Sequence, residues 1–118
     1  MILVGTSVWV DHLRKGDREL ARFLDEGLVL CHPFVLGELA CGNLKNRKEI
    51  LSLLAALPSS DVASQEEVMH LISERKLHGK GLGWVDVHLL ASAILSRCTL
   101  WTRDKALGAA ARRLKIGA

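Results

Sequence analysis

Three carboxylates stand where acidic residues are uncommon. Glu38 lies inside Pro33-Phe34-Val35-Leu36-Gly37-Glu38-Leu39-Ala40-Cys41, with apolar neighbours on both sides. Asp86 lies near the start of the mostly apolar stretch Gly83 to Ala93, and Asp104 follows Leu100-Trp101-Thr102-Arg103. Acidic side chains are rarely buried unless paired or bound to a metal. If the three converge, their mutual repulsion calls for a cation, and hard oxygen ligands select Mg²⁺, with Mn²⁺ as the substitute. Such a cation lowers the pKa of bound water and stabilises charge on a leaving oxygen, which is phosphodiester chemistry. Each residue also has a structural reading. Asp86 and Asp104 suit helix N-termini, where the dipole favours acids. Glu38 suits a buried ion pair with an arginine.

The elements that must position these residues are short. Ile2-Leu3-Val4 reads as a buried strand, and Gly5-Thr6-Ser7 as a turn in which Thr6 or Ser7 caps the next helix. Asp17 to Glu26 is an amphipathic helix ended by Gly27, and Leu28 to Cys31 a second strand. Pro33 opens a helix running to about Gly42. Asn46 to Leu57 is another, stopped by Pro58. Asp61-Val62-Ala63 is a candidate strand, and Ser64 with Glu67 a capping box that starts a helix to about His78. A glycine-rich loop, Gly79, Gly81 and Gly83, precedes a helix over Val85 to Arg97. Thr99-Leu100-Trp101 is a strand, and Asp104 to Leu114 the last helix. Strands alternating with helices argue for a parallel sheet covered by helices. Active crevices of such sheets lie beyond the strands' carboxyl ends, so the residues just after each strand are the ones to inspect.

At 118 residues the chain fits one domain, spanning 1–118. Nearly half its residues are hydrophobic, enough for a core without disulfides. Cys31, Cys41 and Cys98 have no CxxC spacing and read as buried free thiols of a reducing cytosol. No signal-peptide pattern or membrane-length apolar run is present, so a soluble cytoplasmic protein is expected, without membrane contact. Net charge is +3, yet residues 97–118 hold six basic residues against Asp104 alone, a net +5. That end suits a polyanion or acidic partner, or merely a solvated helix face.

Other candidates reduce to structure. Gly79-Lys80-Gly81-Leu82-Gly83 has neither Walker A nor GxGxxG spacing. The five histidines form no zinc pattern, and His88 faces away from Asp86. Trp9, Trp84 and Trp101 sit in apolar motifs and read as core rather than base-stacking platforms. Asp11 reads as a surface acid.

Taken together, the motifs resemble a known family. Ile2 to Leu13 resembles the amino-terminal motif of PIN-domain toxins of the VapC type. Val35-Leu36-Gly37-Glu38-Leu39, Gly81 to Ala93 and Leu100-Trp101-Thr102-Arg103-Asp104 resemble the second, third and fourth motifs, in the family's order. The resemblance implies a three-layer α/β/α sandwich with a central parallel sheet, and a homodimer. It implies a Mg²⁺-dependent endoribonuclease toxin, blocked by a cognate antitoxin whose complex with it binds promoter DNA. Carried over by position, Glu38, Asp86 and Asp104 look like the acidic metal-site and catalytic residues. Thr6 and Thr102 look like hydroxyls that organise the site, and Arg103 like a possible phosphate contact. The antitoxin must cover an acidic pocket, so it is expected to present an arginine or lysine.

One position departs from that pattern. The family has an aspartate, a principal metal ligand, where this chain has Gly5. Losing one carboxylate of four weakens cation binding and misplaces the attacking water, so the chain as written is expected to be a poor or inactive nuclease. Three readings of Gly5 stand open: a substitution that lets a toxic protein be produced, a degenerate member kept to bind its antitoxin, or a glycine suited to a tight turn. The competing functions are an RNA-cleaving enzyme scaffold and a catalytically dead antitoxin-binding module. A phosphoacceptor signalling domain lacks its lysine partner here.

Overall fold

The computed structural model describes residues 1–118. The chain runs β1 (Ile2–Val4), α1 (Thr6–Lys15), α2 (Arg18–Asp25), β2 (Val29–Leu30), α3 (Pro33–Cys41), α4 (Arg47–Ala55), α5 (Gln65–Glu74), α6 (Trp84–Leu95), β3 (Thr99–Trp101) and α7 (Lys105–Arg113). The strands form one parallel sheet in the order β2-β1-β3, so β1 is central. Ile2 pairs with Val29 on one side and Thr99 on the other. Leu3, Val4 and Leu100 are almost fully buried, because a sheet sandwiched by helices hides both faces of its strands. One core of 24 buried residues joins this sheet to the helices, an α/β sandwich of the expected class.

The helix starts follow local chemistry. Asp17 caps α2 through the Leu20 N–H, and Ser64 and Glu67 exchange both capping-box bonds at α5. Pro33 occupies the first turn of α3. Gly16 lies at φ 79° between α1 and α2, a conformation that favours glycine and lets the chain reverse sharply.

Four expectations need correction. Asp61-Val62-Ala63 is not a strand; the pairing partner of Cys31 is Ser59, in a single bridge held by Cys31 N–H to Pro58 O and Ser60 N–H to Cys31 O. Val62 is half exposed, so that segment offers too little apolar surface to enter the sheet. Neither Thr6 nor Ser7 caps α1, because Gly5 is the cap residue and makes no side-chain bond. Cys41 is exposed at the end of α3, unlike buried Cys31 and Cys98. Trp84 is 45% exposed, whereas Trp9 is core. A further bridge, Leu100 to Gly117, extends the sheet past β3 with no warning in the sequence beyond Ile116. No helix is long and apolar enough to cross a membrane.

Candidate active site

The sheet topology brings the chemistry-bearing residues to one edge. Gly5 follows central β1, and Thr102, Arg103 and Asp104 follow β3 beside it. The Gly5 N–H donates to the Trp101 carbonyl at 2.9 Å, which locks the two strand ends together. Helix α3 begins at the end of β2. Helix α6 leads back into β3 and packs on it, so its amino end, with Asp86, returns to the carboxyl edge. A Cβ on Gly81 would touch Ala106 at 3.7 Å, so the loop before α6 abuts the start of α7.

Each expected site residue has a defined local partner. Thr6 Oγ1 donates to Glu38 Oε1 at 2.6 Å, joining α1 to α3. Asp86 Oδ2 accepts the Gly83 N–H at 2.9 Å. Asp104 caps α7, its Oδ2 accepting the Leu107 N–H at 2.9 Å. Thr102 Oγ1 accepts the Asp104 N–H at 3.1 Å and shares a hydrogen bond with Ser7 Oγ at 3.3 Å. The helix-terminal reading of Asp86 and Asp104 therefore holds at the local level, and each retains a second oxygen outside its cap. Glu38 is exposed and its partner is a hydroxyl, so neither the buried setting nor the arginine ion pair holds for it.

Arg103 has another occupation than phosphate. Its guanidinium donates to Asp11 and to Asp17, and its N–H to Ser7 Oγ at 3.0 Å. It thereby ties the loop after β3 to both ends of the α1–α2 corner. Asp11 is half-buried in this ion pair rather than a free surface acid. The Leu20 N–H, together with Arg103, holds the Asp17 carboxyl below its ordinary value. Sequence reasoning missed Asp17 and Ser7 as site-framing residues. Both lie more than 80 positions from Arg103, and no local pattern joins them.

An aromatic cluster joins the starts of α3 and α6. His88 is buried, its ring 4.7 Å from those of Phe34 and Trp84, with His32 at 6.4 Å. Burial, then the nearby His88, pushes His32 down to about 4, and burial lowers His88 as well. Both rings are therefore neutral at physiological pH.

The carboxylates share an edge but do not close into a ligand set. No three His, Cys, Asp or Glu side chains are grouped so that they could hold a metal ion. The position between the ends of β1 and β3 belongs to Gly5, which has no side-chain oxygen. As they stand, these residues do not fit a protein-held divalent cation. The turn itself does not demand glycine: Gly5 is extended, φ −76° and ψ 165°, which any L-residue adopts. A Cβ there would stand 3.3 Å from the Trp101 carbonyl oxygen and 3.6 Å from Thr102 Oγ1, a tight but nearly sufficient space.

Comparison with known proteins gives a family match and two similar relatives. Residues 2–113 match the family model described as PIN domain. The chain is 49% identical over 111 residues to proteins named Ribonuclease VapC32 from two strains of Mycobacterium tuberculosis, CDC 1551 / Oshkosh and ATCC 25618 / H37Rv. That match covers 93% of this chain and 90% of each relative.

Proposed function

This chain belongs to the PIN-domain family, and we propose that it is the endoribonuclease toxin of a toxin–antitoxin pair, built for Mg²⁺ and weakened at Gly5. The observation that carries the reading is the edge itself. Glu38 is tied to Thr6 just after β1, the Asp104 turn to Thr102 just after β3, and Asp86 heads α6, which leads into β3. The match to relatives named as ribonucleases covers nearly the whole length, which supports an RNA phosphodiester as the substrate. What the chain's own residues do is hold the edge. Thr6 orients Glu38, Thr102 orients the Asp104 turn, and Arg103 pins that turn to α1 and α2. The same reading carries a cognate antitoxin as partner, a homodimer, and promoter DNA bound only through the antitoxin complex.

A second reading is favoured by one specific observation, the lack of a carboxylate at position 5 and of any closed ligand set. In it the chain is a catalytically dead module that binds the antitoxin. Gly5→Asp separates the two. With Mg²⁺ the restored chain cuts RNA and the chain as written does not, and a chelator or a second change, Asp86→Asn, abolishes cutting. A restored chain that binds no cation and cuts nothing sinks the enzyme reading.

A further inference from the structure

The strongly basic end of the chain is only in part a free cationic surface: Lys105 and Arg112 are exposed and unpaired. Arg103 is spent on Asp11 and Asp17, and the Arg113 guanidinium donates to the Arg75 carbonyl. Arg97 and Lys115 stand at the opposite, amino-terminal edge of the sheet, around Met1 and Thr99. Lys105, next to Asp104, is exposed and unpaired at the edge itself, and further uncommitted cations line a neighbouring cleft. A cleft of about 610 Å³ lies between α1, α3 and the start of α4, and Glu38 forms part of its wall. Arg14 and Lys45 also line it, and neither is in an ion pair.

The cleft has the parts that a single RNA strand requires. Its cations suit phosphates. Asn43 and Asn46 line it too, and neither amide makes an internal hydrogen bond. Asn46 precedes α4 without capping it. Free amides read the edges of unstacked bases. Val10, Leu13 and Ile50 supply an apolar floor for a base face. Next to the cleft the Arg47 guanidinium donates to the Ala40 carbonyl, which ties α4 to the end of α3. The volume falls in the ordinary range for ligand sites. Residues 43–50 add Lys45, Arg47 and Lys48 against Glu49 alone, so the surroundings favour a polyanion.

We propose that this cleft holds the RNA strand where it leaves the acidic edge, with Arg14 and Lys45 on phosphates and Asn43 and Asn46 on bases. The inference rests on the ribonuclease reading. It makes Glu38 the hinge between two sites, its Oε1 fixed by Thr6 and its stem in the cleft wall.

The test is binding, which does not depend on cutting. A labelled single-stranded RNA oligonucleotide is titrated with the full chain as written and with an Arg14→Gln/Lys45→Gln variant, folding being checked by circular dichroism. At about 50 mM salt the variant binds on the order of tenfold more weakly, and its salt slope falls by about 0.7 per cation removed. An Arg97→Gln/Lys115→Gln variant, with the same charge change at the opposite edge, binds like the parent. Asn43→Ala changes the ranking of homopolymeric RNAs. Unchanged affinity in the Arg14/Lys45 variant overturns the proposal and leaves the cleft to a protein partner. An equal loss in the two double variants overturns it as well, since net charge then explains binding. If the Gly5→Asp chain cuts RNA while the cleft variants bind normally, only this proposal falls. If no form binds or cuts RNA, the ribonuclease reading falls and takes the cleft with it.

Discussion

A Cβ on Gly5 would stand 3.3 Å from the Trp101 carbonyl oxygen, the same oxygen that accepts the Gly5 N–H at 2.9 Å. Position 5 is thus pinned between central β1 and the end of β3, and a side chain there projects beside Thr102. The backbone already has the conformation an aspartate needs, and the neighbours must give by only a few tenths of an ångström.

Gly5→Asp is accordingly expected to fold, and to create a cation response that the chain as written lacks. At a Mg²⁺ concentration ten times its dissociation constant, linkage stabilises the variant by about 1.4 kcal/mol. That is roughly 5 °C in Tm for a domain of this size. Gly5→Ala adds the same Cβ without a ligand and shows no Mg²⁺ response. Thermal unfolding with and without Mg²⁺ checks both. A cation shift equal in the Ala and Asp variants contradicts the assignment of position 5.

Thr6 acts through Glu38 and is a positioning residue. In the Gly5→Asp background, Thr6→Val is expected to lower kcat roughly tenfold with KM little changed, the scale of a hydrogen bond to a charged group. Thr6→Ser keeps the hydroxyl and restores the rate. Steady-state cleavage of a short RNA reads the split. A loss confined to KM would place Thr6 in substrate binding instead.

Arg103→Met removes the tie between the loop after β3 and the α1–α2 corner. The variant melts a few degrees lower, and the difference shrinks at high salt because the pairs are only partly buried. Asp17 titrates below its ordinary 3.8 in the folded chain, so its contribution is present above that value and disappears as pH falls through the lowered one. Asp17→Asn removes this acid dependence. Arg103→Met removes only part of it, since the Leu20 N–H is the larger cause. Thermal melts across the acid range distinguish the two variants.

His32 titrates at about 4 in the folded chain against 6.5 ordinarily. The unfolded chain takes up the proton first, so stability is full above pH 6.5 and declines as pH falls toward 4. His32→Asn keeps an acceptor for the Phe34 N–H at the start of α3 and cannot titrate. It is expected to flatten the melting temperature across that window. A slope unchanged in the variant would assign the titration to another group.

The sequence by itself determined the local structure and the chemistry at the edge. Ser64 and Glu67 mark the start of α5, Pro33 that of α3, and the apolar triplets Ile2–Val4 and Thr99–Trp101 the strands, because caps and burial patterns act within a few residues. Parallel pairing then obliges the residues just after each strand to share one edge, which is why Gly5 and Asp104 were legible together, whereas Glu38 and Asp86 sit within helices and were grouped with them by resemblance. The tertiary structure decided what depends on distant partners. It assigned Glu38 to the Thr6 hydroxyl rather than an arginine, turned Arg103 onto Asp11 and Asp17, exposed Trp84 and Cys41, and put a single bridge at Ser59 where a strand was expected at Asp61–Ala63. It also made a cleft of α1, α3 and α4, whose cations, Arg14 and Lys45, are 31 positions apart. Such contacts have no sequence period to announce them, since side chains meet across elements only after the core has fixed where each element lies.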